Sequence, residues 1–225
     1  MIRNYHGHLS GIYTVQVHPI LDLVFSGGRD SSIRVWDMRT KSCLRTLVGH
    51  RHTVTSLGIQ GCEPQIVSGS QDTMIRLWDL RSSKTLQTLT HHKKSVRSIC
   101  IHPRYNCFIS ASTDNIKYWK LPEGIFMRNA HHNHEEIVNE VCANMDGVVC
   151  AGSDSGGLAF FDWYSGYCYQ ILRTPPQLGS LQLEAGIFGV TFDQSGSRVL
   201  TCEADKTIKV YCEDEKATPE TQPTK

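Results

Sequence analysis

Ser, His and Asp recur in this sequence at spacings that could do chemistry. His8, Ser26 and Asp30 are followed by Trp36, His50, Ser68 and Asp72 by Trp78, and His92, Ser110 and Asp114 by Trp119. Each Asp lies 22 residues after its His, and successive His, Ser and Asp are displaced by 42, while Trp119 follows its Asp by five residues where Trp36 and Trp78 follow by six. Ser–His–Asp is the vocabulary of nucleophilic catalysis, in which the imidazole takes the hydroxyl proton and the carboxylate orients the imidazole. Here the set occurs three times, each time with a Trp attached. That repetition fits a hydrogen-bonded chain from Trp N–H to Ser hydroxyl to His to Asp, in which every buried polar group finds a partner. The expected role is a structural staple. No phosphate-binding glycine loop, metalloprotease helix or nucleophile elbow accompanies it, and no enzyme activity is expected.

The elements that must position these residues follow from the period. Between the markers the sequence alternates as short strands do, for example Val54–Ile59, Gln65–Ser68, Ile75–Trp78 and Thr85–Leu89, and the Gly, Ser and Asp of Ser26–Asp30 and Ser68–Asp72 supply turns. Four strands per repeat make one blade, and a period of 40 to 45 residues with Trp-Asp at the third strand marks a propeller. Two further repeats are degenerate. His134, Asp154 and Phe161-Asp162 mark the fourth, with Cys150 in the serine slot, and Thr201, Asp205 and Tyr211 mark the fifth. The expected fold is all-β, a WD40 β-propeller with five recognisable blades over residues 1–212. The repeats are placed at about 7–47, 49–89, 91–129, 133–172 and 186–212.

The period aligns residues 2–8 with residues 44–50, so residues 2–6 read as a stray outer strand, and Thr207–Tyr211 reads as a third strand with no fourth. Residues 2–6 could complete the last blade and close a ring of five, or the chain could be part of a larger ring. Residues 213–225 are polar, carry two Pro and are expected to be a disordered acidic tail.

With 225 residues and 40% hydrophobic residues the chain can bury a core, and it shows neither a membrane-spanning run nor a signal peptide. Its nine cysteines, an odd set without a Cys-x-x-Cys pair, are expected to be buried, reduced thiols. Net charge is +1, but residues 1–119 carry 15 Lys and Arg against 7 Asp and Glu, whereas residues 120–225 carry 8 against 15. One half suits an acidic partner, the other a basic one.

The stretches Asp114–Gly124, Phe192–Arg198, Asp205–Tyr211 and Lys93–Arg97 resemble the pleiotropic regulator 1 family of spliceosomal WD-repeat proteins, and the likeness is expected over the whole chain, including the acidic Glu213-Asp214-Glu215. The resemblance implies the C-terminal five of seven blades, hence a truncated part of a seven-bladed ring. It also implies a nuclear, non-catalytic scaffold subunit of the Nineteen complex in pre-mRNA splicing. Its partners would be other subunits of that complex and of the spliceosome, among them a Myb-like splicing factor, and no cofactor comes with it. In such proteins contacts fall on loops carried by rigid blades. The partner-binding candidates are Arg29, Gln71 and Thr113 beside the turn Asp residues, with Tyr13, Thr55, Arg97 and Asn139 near the starts of first strands.

Four further features compete for a role. Arg39 and Arg81 each follow a Trp-Asp by two residues and resemble boxes by which some WD proteins dock on the adaptor of a cullin-RING ubiquitin ligase, the alternative function. The run His91–Lys94 through Arg97, with Arg29, Arg34, Arg76 and Arg104, could contact RNA phosphates inside an assembly. His131, His132, His134, Glu135 and Glu136 could ligate zinc, although a His-rich loop is the simpler reading and no metal is expected. The loop Thr174–Leu181 replaces the short entrance of blade five and could be a contact site.

Overall fold

The computed structural model describes residues 3–130, 137–177 and 179–213. Five antiparallel sheets succeed one another along the chain. Blade one consists of β1 (Ile12–Val17), β2 (Leu23–Gly28), β3 (Ser32–Asp37) and β4 (Cys43–Val48). Blade two consists of β5 (Val54–Ile59), β6 (Ile66–Ser70), β7 (Ile75–Asp79) and β8 (Lys84–Leu89). Blade three is β9 (Val96–Ile101), β10 (Cys107–Ser112), β11 (Ile116–Lys120) and β12 (Ile125–Asn129). Blade four is β13 (Val138–Ala143), β14 (Val148–Ser153), β15 (Gly157–Asp162) and β16 (Cys168–Arg173). The fifth sheet has three strands, β17 (Ile187–Phe192), β18 (Arg198–Glu203) and β19 (Ile208–Cys212). A short 3-10 turn at Gln182–Ala185 leads into it. Within every sheet the strands meander in sequence order, so each pairs only with its neighbour in the chain. The chain is a WD40 β-propeller fold with five recognisable blades.

The core lies between blades rather than within them. Phe25, Ile33, Val35 and Leu47 of blade one pack on Val54, Leu57, Ile66 and Trp78 of blade two. Val67, Ile75, Leu77 and Leu89 pack on Val96, Ile99, Phe108 and Trp119 in the same way. Ile109, Tyr118 and Ala130 meet Val138, Val149, Phe161 and Trp163, and Cys150 and Leu158 meet Ile187, Val190 and Val199. Strand alternation explains this, because successive side chains point to opposite faces and each face of a blade meets a different neighbour. Each fully buried Leu, Ile or Val contributes roughly 1.5–3 kcal/mol relative to exposure. The sheets approach closely. A Cβ added at Gly27 would lie 2.7 Å from Val54 Cγ1, and one at Gly69 2.7 Å from Val96 Cγ1.

Two sequence expectations change. Residues 3–6, the described part of the expected outer strand 2–6, form no strand. Tyr5 instead leans on Trp36 with ring centroids 5.6 Å apart. A strand needs a hydrogen-bonded neighbour, and nothing in the described residues lies alongside this segment to provide one. The cysteines are also less buried than expected. All nine are free, but Cys43, Cys62, Cys202 and Cys212 are exposed and only Cys150 is fully buried. Cys43 lies on an outer strand, Cys62 in a turn, and Cys202 and Cys212 on the last sheet, whose outward face has no blade against it. The expected tail, apart from Glu213, lies outside the described residues.

Candidate interaction surface and the staples behind it

Three blades carry the same four-residue chain. In blade two the Trp78 indole donates to Ser68 Oγ at 2.7 Å, Ser68 Oγ lies 2.7 Å from His50 Nε2, and His50 Nδ1 lies 2.9 Å from Asp72 Oδ2. Blade one repeats this through Trp36, Ser26, His8 and Asp30 at 2.7, 2.7 and 2.8 Å. Blade three does so through Trp119, Ser110, His92 and Asp114 at 2.8, 2.7 and 3.1 Å. The carboxylates also cap the blade entrance by accepting from the amides of Leu9, Arg51 and Lys93. The serines are buried and their oxygens face indole and imidazole, which occupies the hydroxyl that a nucleophile would need free.

The electrostatics agree with a satisfied network. Burial works against ionisation of Asp30 and is its largest single influence, but hydrogen bonds from His8, Ser32 and the Leu9 amide together hold its pKa down at about 2. Asp114 is likewise opposed by burial and held at about 2 by Ser112, the Lys93 amide and His92. Asp72 is opposed by burial and held lower still by His50 and the amides of Arg51 and Met74. Burial depresses the pKa of His92.

The degenerate blades use other chemistry. In blade four the indole slot holds Phe161, but the residue in register with Ser26, Ser68 and Ser110 is Ala151; Cys150, expected in the serine slot, is one position off and lies on the opposite face of β14, packed with Leu158 and Ile187 rather than with Phe161. The expected His134 lies outside the described residues. In blade five Lys209 Nζ donates to Glu203 Oε2 and to the Pro175 carbonyl, both at 2.6 Å, and lies 3.6 Å from Asp205. Thr201 donates to Glu203 Oε1 at 3.0 Å, and the Tyr211 hydroxyl joins the same group. Reading the sequence missed this charged replacement, whose only signal is a Glu at position 203 where Ser70 and Ser112 stand in other blades.

A second periodic set was also missed. His18, Gln60, His102 and Asn144 are spaced by 42. His18 Nδ1 accepts from the amides of Ile20 and Leu21, His102 Nδ1 from those of Arg104 and Tyr105, and Asn144 Oδ1 from those of Asp146 and Val148. Gln60 instead donates to the Pro64 carbonyl. These residues close the turn between the first and second strands of blades one to four.

The partner-binding candidates divide between the two ends of the strands. Arg29, Gln71 and Thr113 lie in the turns joining second to third strands, at the end where first strands begin. Tyr13, Thr55, Arg97 and Asn139 are at that same end, and each is the extra residue of a β-bulge, skipped between the paired positions on either side. A bulge re-aims its side chain. Here it aims three of the four at the next blade. Thr55 Oγ1 donates to the Val96 carbonyl at 2.6 Å, Arg97 donates to Asn139 Oδ1, and Asn139 Nδ2 donates to the Ile187 carbonyl at 2.8 Å. Those three link blades, whereas Arg29, Gln71 and Tyr13 are exposed. Phe188, the bulge residue of blade five, is exposed as well.

Arg39 and Arg81 lie at the opposite end, in the turns after third strands, with side chains 80% and 88% exposed. Arg39 pairs with Asp22 at 2.6 Å and Arg81 with Glu63 at 3.6 Å. The basic set does not form one surface. Arg29 and Arg104 sit at opposite ends of the strands, and Arg34 and Arg76 are half-buried and donate to Cys43 and Thr85 within their own blades. Among the described residues, no three His, Cys, Asp or Glu side chains are placed to hold a metal. The residues His131–Glu136 lie outside them. In the loop before blade five, Leu181 is exposed.

The family described as nucleolar protein 10-like, N-terminal domain, matches residues 2–162, and the WD domain, G-beta repeat, matches residues 177–212. Over 123 residues, 55% of this chain, it is 53% identical to the Arabidopsis thaliana protein named Protein pleiotropic regulator PRL2 and 52% identical to Pleiotropic regulator 1 of Homo sapiens. A Candida glabrata protein named Pre-mRNA-splicing factor PRP46 is 46% identical over the same length. The matches cover 26%, 24% and 29% of those proteins, so the chain spans about a quarter of the length of the curated relatives it matches.

Proposed function

The chain belongs to the β-propeller family described as nucleolar protein 10-like, N-terminal domain, and from that premise we propose that it is a non-catalytic protein–protein interaction scaffold of pre-mRNA splicing, working in the nucleus within the spliceosome-associated Nineteen complex. The observation that carries this reading is the identity of about half of all positions, over 123 residues, to proteins named for pleiotropic regulation and pre-mRNA splicing. The geometry supports the non-catalytic part, because each Ser–His–Asp set is consumed by its own indole. Binding then falls on the exposed loop residues Arg29, Gln71 and Tyr13, carried on blades that Thr55, Arg97 and Asn139 lock together. Partners of this surface are other subunits of the complex, including a Myb-like splicing factor, with RNA touched only through its backbone.

Affinity purification of the tagged chain from nuclear extract tests this directly. Spliceosomal proteins are expected in the eluate, depleted by Arg29→Ala with Tyr13→Ala; an eluate without them overturns the reading. The exposure of Arg39 and Arg81 on one end favours a second reading, docking on a cullin-RING adaptor. Adaptor that co-purifies with the chain and is lost on Arg39→Ala plus Arg81→Ala would establish it, and its absence from the eluate would end it.

A further inference from the structure

One corner of the fold exposes aromatic rings where the repeat elsewhere exposes ions. Tyr105 stands three residues after His102, and Tyr164 three residues after Phe161 of the indole slot. The same two positions in blade two hold Glu63 and Arg81, which pair with each other at 3.6 Å. In blades three and four the tyrosines instead meet across the blade boundary. The Tyr164 hydroxyl donates to the Tyr105 hydroxyl at 2.9 Å, with ring centroids 6.1 Å apart and planes at 72°. Tyr105, Tyr164 and the nearby Tyr167 are 41%, 60% and 59% exposed. Met145 is 61% exposed on the turn whose Gly147 lies under the Tyr164 ring, where a Cβ would sit 3.4 Å from it. Blades three and four each have a blade packed on both sides, so this corner is not an open end of the fold. The rings are held in place from below. His102 Nδ1 accepts from the amides of Arg104 and Tyr105 and fixes their turn, while its ring lies 4.8 Å from Tyr105 and 4.4 Å from Trp163. Asp162 fixes the other turn by accepting from the Tyr164 amide and from the amide and hydroxyl of Ser165.

We propose that this corner docks a proline-rich segment of a partner protein, bound as an extended polyproline II helix. Tyr, Met and Arg are the side chains enriched at protein interfaces, and aromatic-lined surfaces take proline rings against their faces. A polyproline II helix has no internal hydrogen bonds, so its carbonyls are free to accept. Tyr105 accepts the Tyr164 proton and keeps its own to donate, and the exposed Arg104 beside it supplies further donors. Because both turns are fixed, little side-chain freedom is lost on binding. Charge decides against a nucleic acid strand as the occupant. Stacking platforms for nucleic acid line a positive groove, whereas Arg104 shares this corner with the carboxylates of Asp146 and Asp162. The corner lies at the opposite end of the strands from Arg29, Gln71 and Tyr13, so it is a second surface, independent of the one those residues form.

Titration of the chain, isotopically labelled on its tyrosine rings, with decaproline tests this by nuclear magnetic resonance. The ring signals of Tyr105, Tyr164 and Tyr167 are expected to shift to saturation while those of Tyr13 stay in place. Tyr164→Ala and, separately, Tyr167→Ala are expected to weaken binding at least tenfold. Tyr105→Phe keeps the ring and loses the donor, and is expected to weaken it about two- to tenfold, the worth of one hydrogen bond. Absence of any shift with decaproline overturns the proposal, as does affinity unchanged in both alanine variants. A response to a ten-uridine RNA in place of decaproline overturns it as well and makes the corner a nucleic acid platform. Circular dichroism of each variant establishes that the blades remain folded, so that lost affinity reads as lost contact.

Discussion

His50 Nδ1 and the Asp72 carboxylate lie 2.9 Å apart with side chains 0% and 4% exposed, and the carboxylate also takes the Arg51 amide. Removing it leaves three donors, His50 and the amides of Arg51 and Met74, without their acceptor. Asp72→Ala is expected to cost about 1–3 kcal/mol, the penalty for orphaned buried polar groups. Asp154→Ala, in a blade whose indole slot is Phe161, is expected to cost less. Denaturant titration of both variants compares them, and equal losses would contradict the ranking.

Acid should weaken the fold in two stages. His92, His18 and His102 are held below their ordinary pKa of 6.5 by burial, so the unfolded chain takes up protons first and stability falls as pH drops below about 6.5. Asp30 and Asp114 are held at about 2, below their ordinary 3.8, and Asp72 is also held down, so their contribution is complete above about pH 4 and lost toward pH 2. Melting temperature measured from pH 8 to pH 2.5 should fall in both ranges. Asp30→Asn should flatten the lower one.

Lys209 neutralises the buried Glu203 and lies beside Asp205. Lys209→Met strands a buried carboxylate, and breaking such a pair costs about 3–5 kcal/mol. The double variant Lys209→Met, Glu203→Gln should recover much of that loss in thermal unfolding. No recovery would mean that packing, not charge, is what the lysine supplies.

Ala151 occupies the serine slot of blade four, on the same face as Phe161, which has no N–H to give. Ala151→Ser alone should therefore destabilise by about 1–3 kcal/mol, the reverse of what a serine does in blades one to three. Adding Phe161→Trp should return part of the loss. A double-mutant cycle on chemical denaturation reads the coupling, and a coupling of zero would detach the hydroxyl from the indole.

Thr55 and Arg29 share one end of the strands but should behave differently. Thr55→Val removes the bond to the Val96 carbonyl and is expected to lower stability by about 0.5–1.5 kcal/mol with little effect on partner capture. Arg29→Ala should leave the melting temperature unchanged and reduce capture. The opposite assignment of effects would move the interaction surface elsewhere.

The staples were legible because every buried indole demands the same acceptor, so identical side chains recur at identical spacing. His18, His102 and Asn144 were legible on the same ground and went unread. The links between blades were not, since Thr55, Arg97 and Asn139 each solve the same geometric problem with a different functional group, and the bulge that aims them is a property of paired strands rather than of one segment. The exposure of Cys202 and Cys212 depends on which face of the last sheet lacks a neighbour, and alternation within a strand carries no information about that. Lys209 reads as an ordinary third-strand cation until Glu203 is seen buried beneath it.

The meander of every sheet bears on how the chain reaches this state. Each strand pairs with the one just made, and each staple is closed by residues at most 22 positions apart. Little loop-closure entropy is spent before strands pair within a blade, but the core that holds them lies between blades, so the smallest unit expected to keep its structure is a pair of adjacent blades.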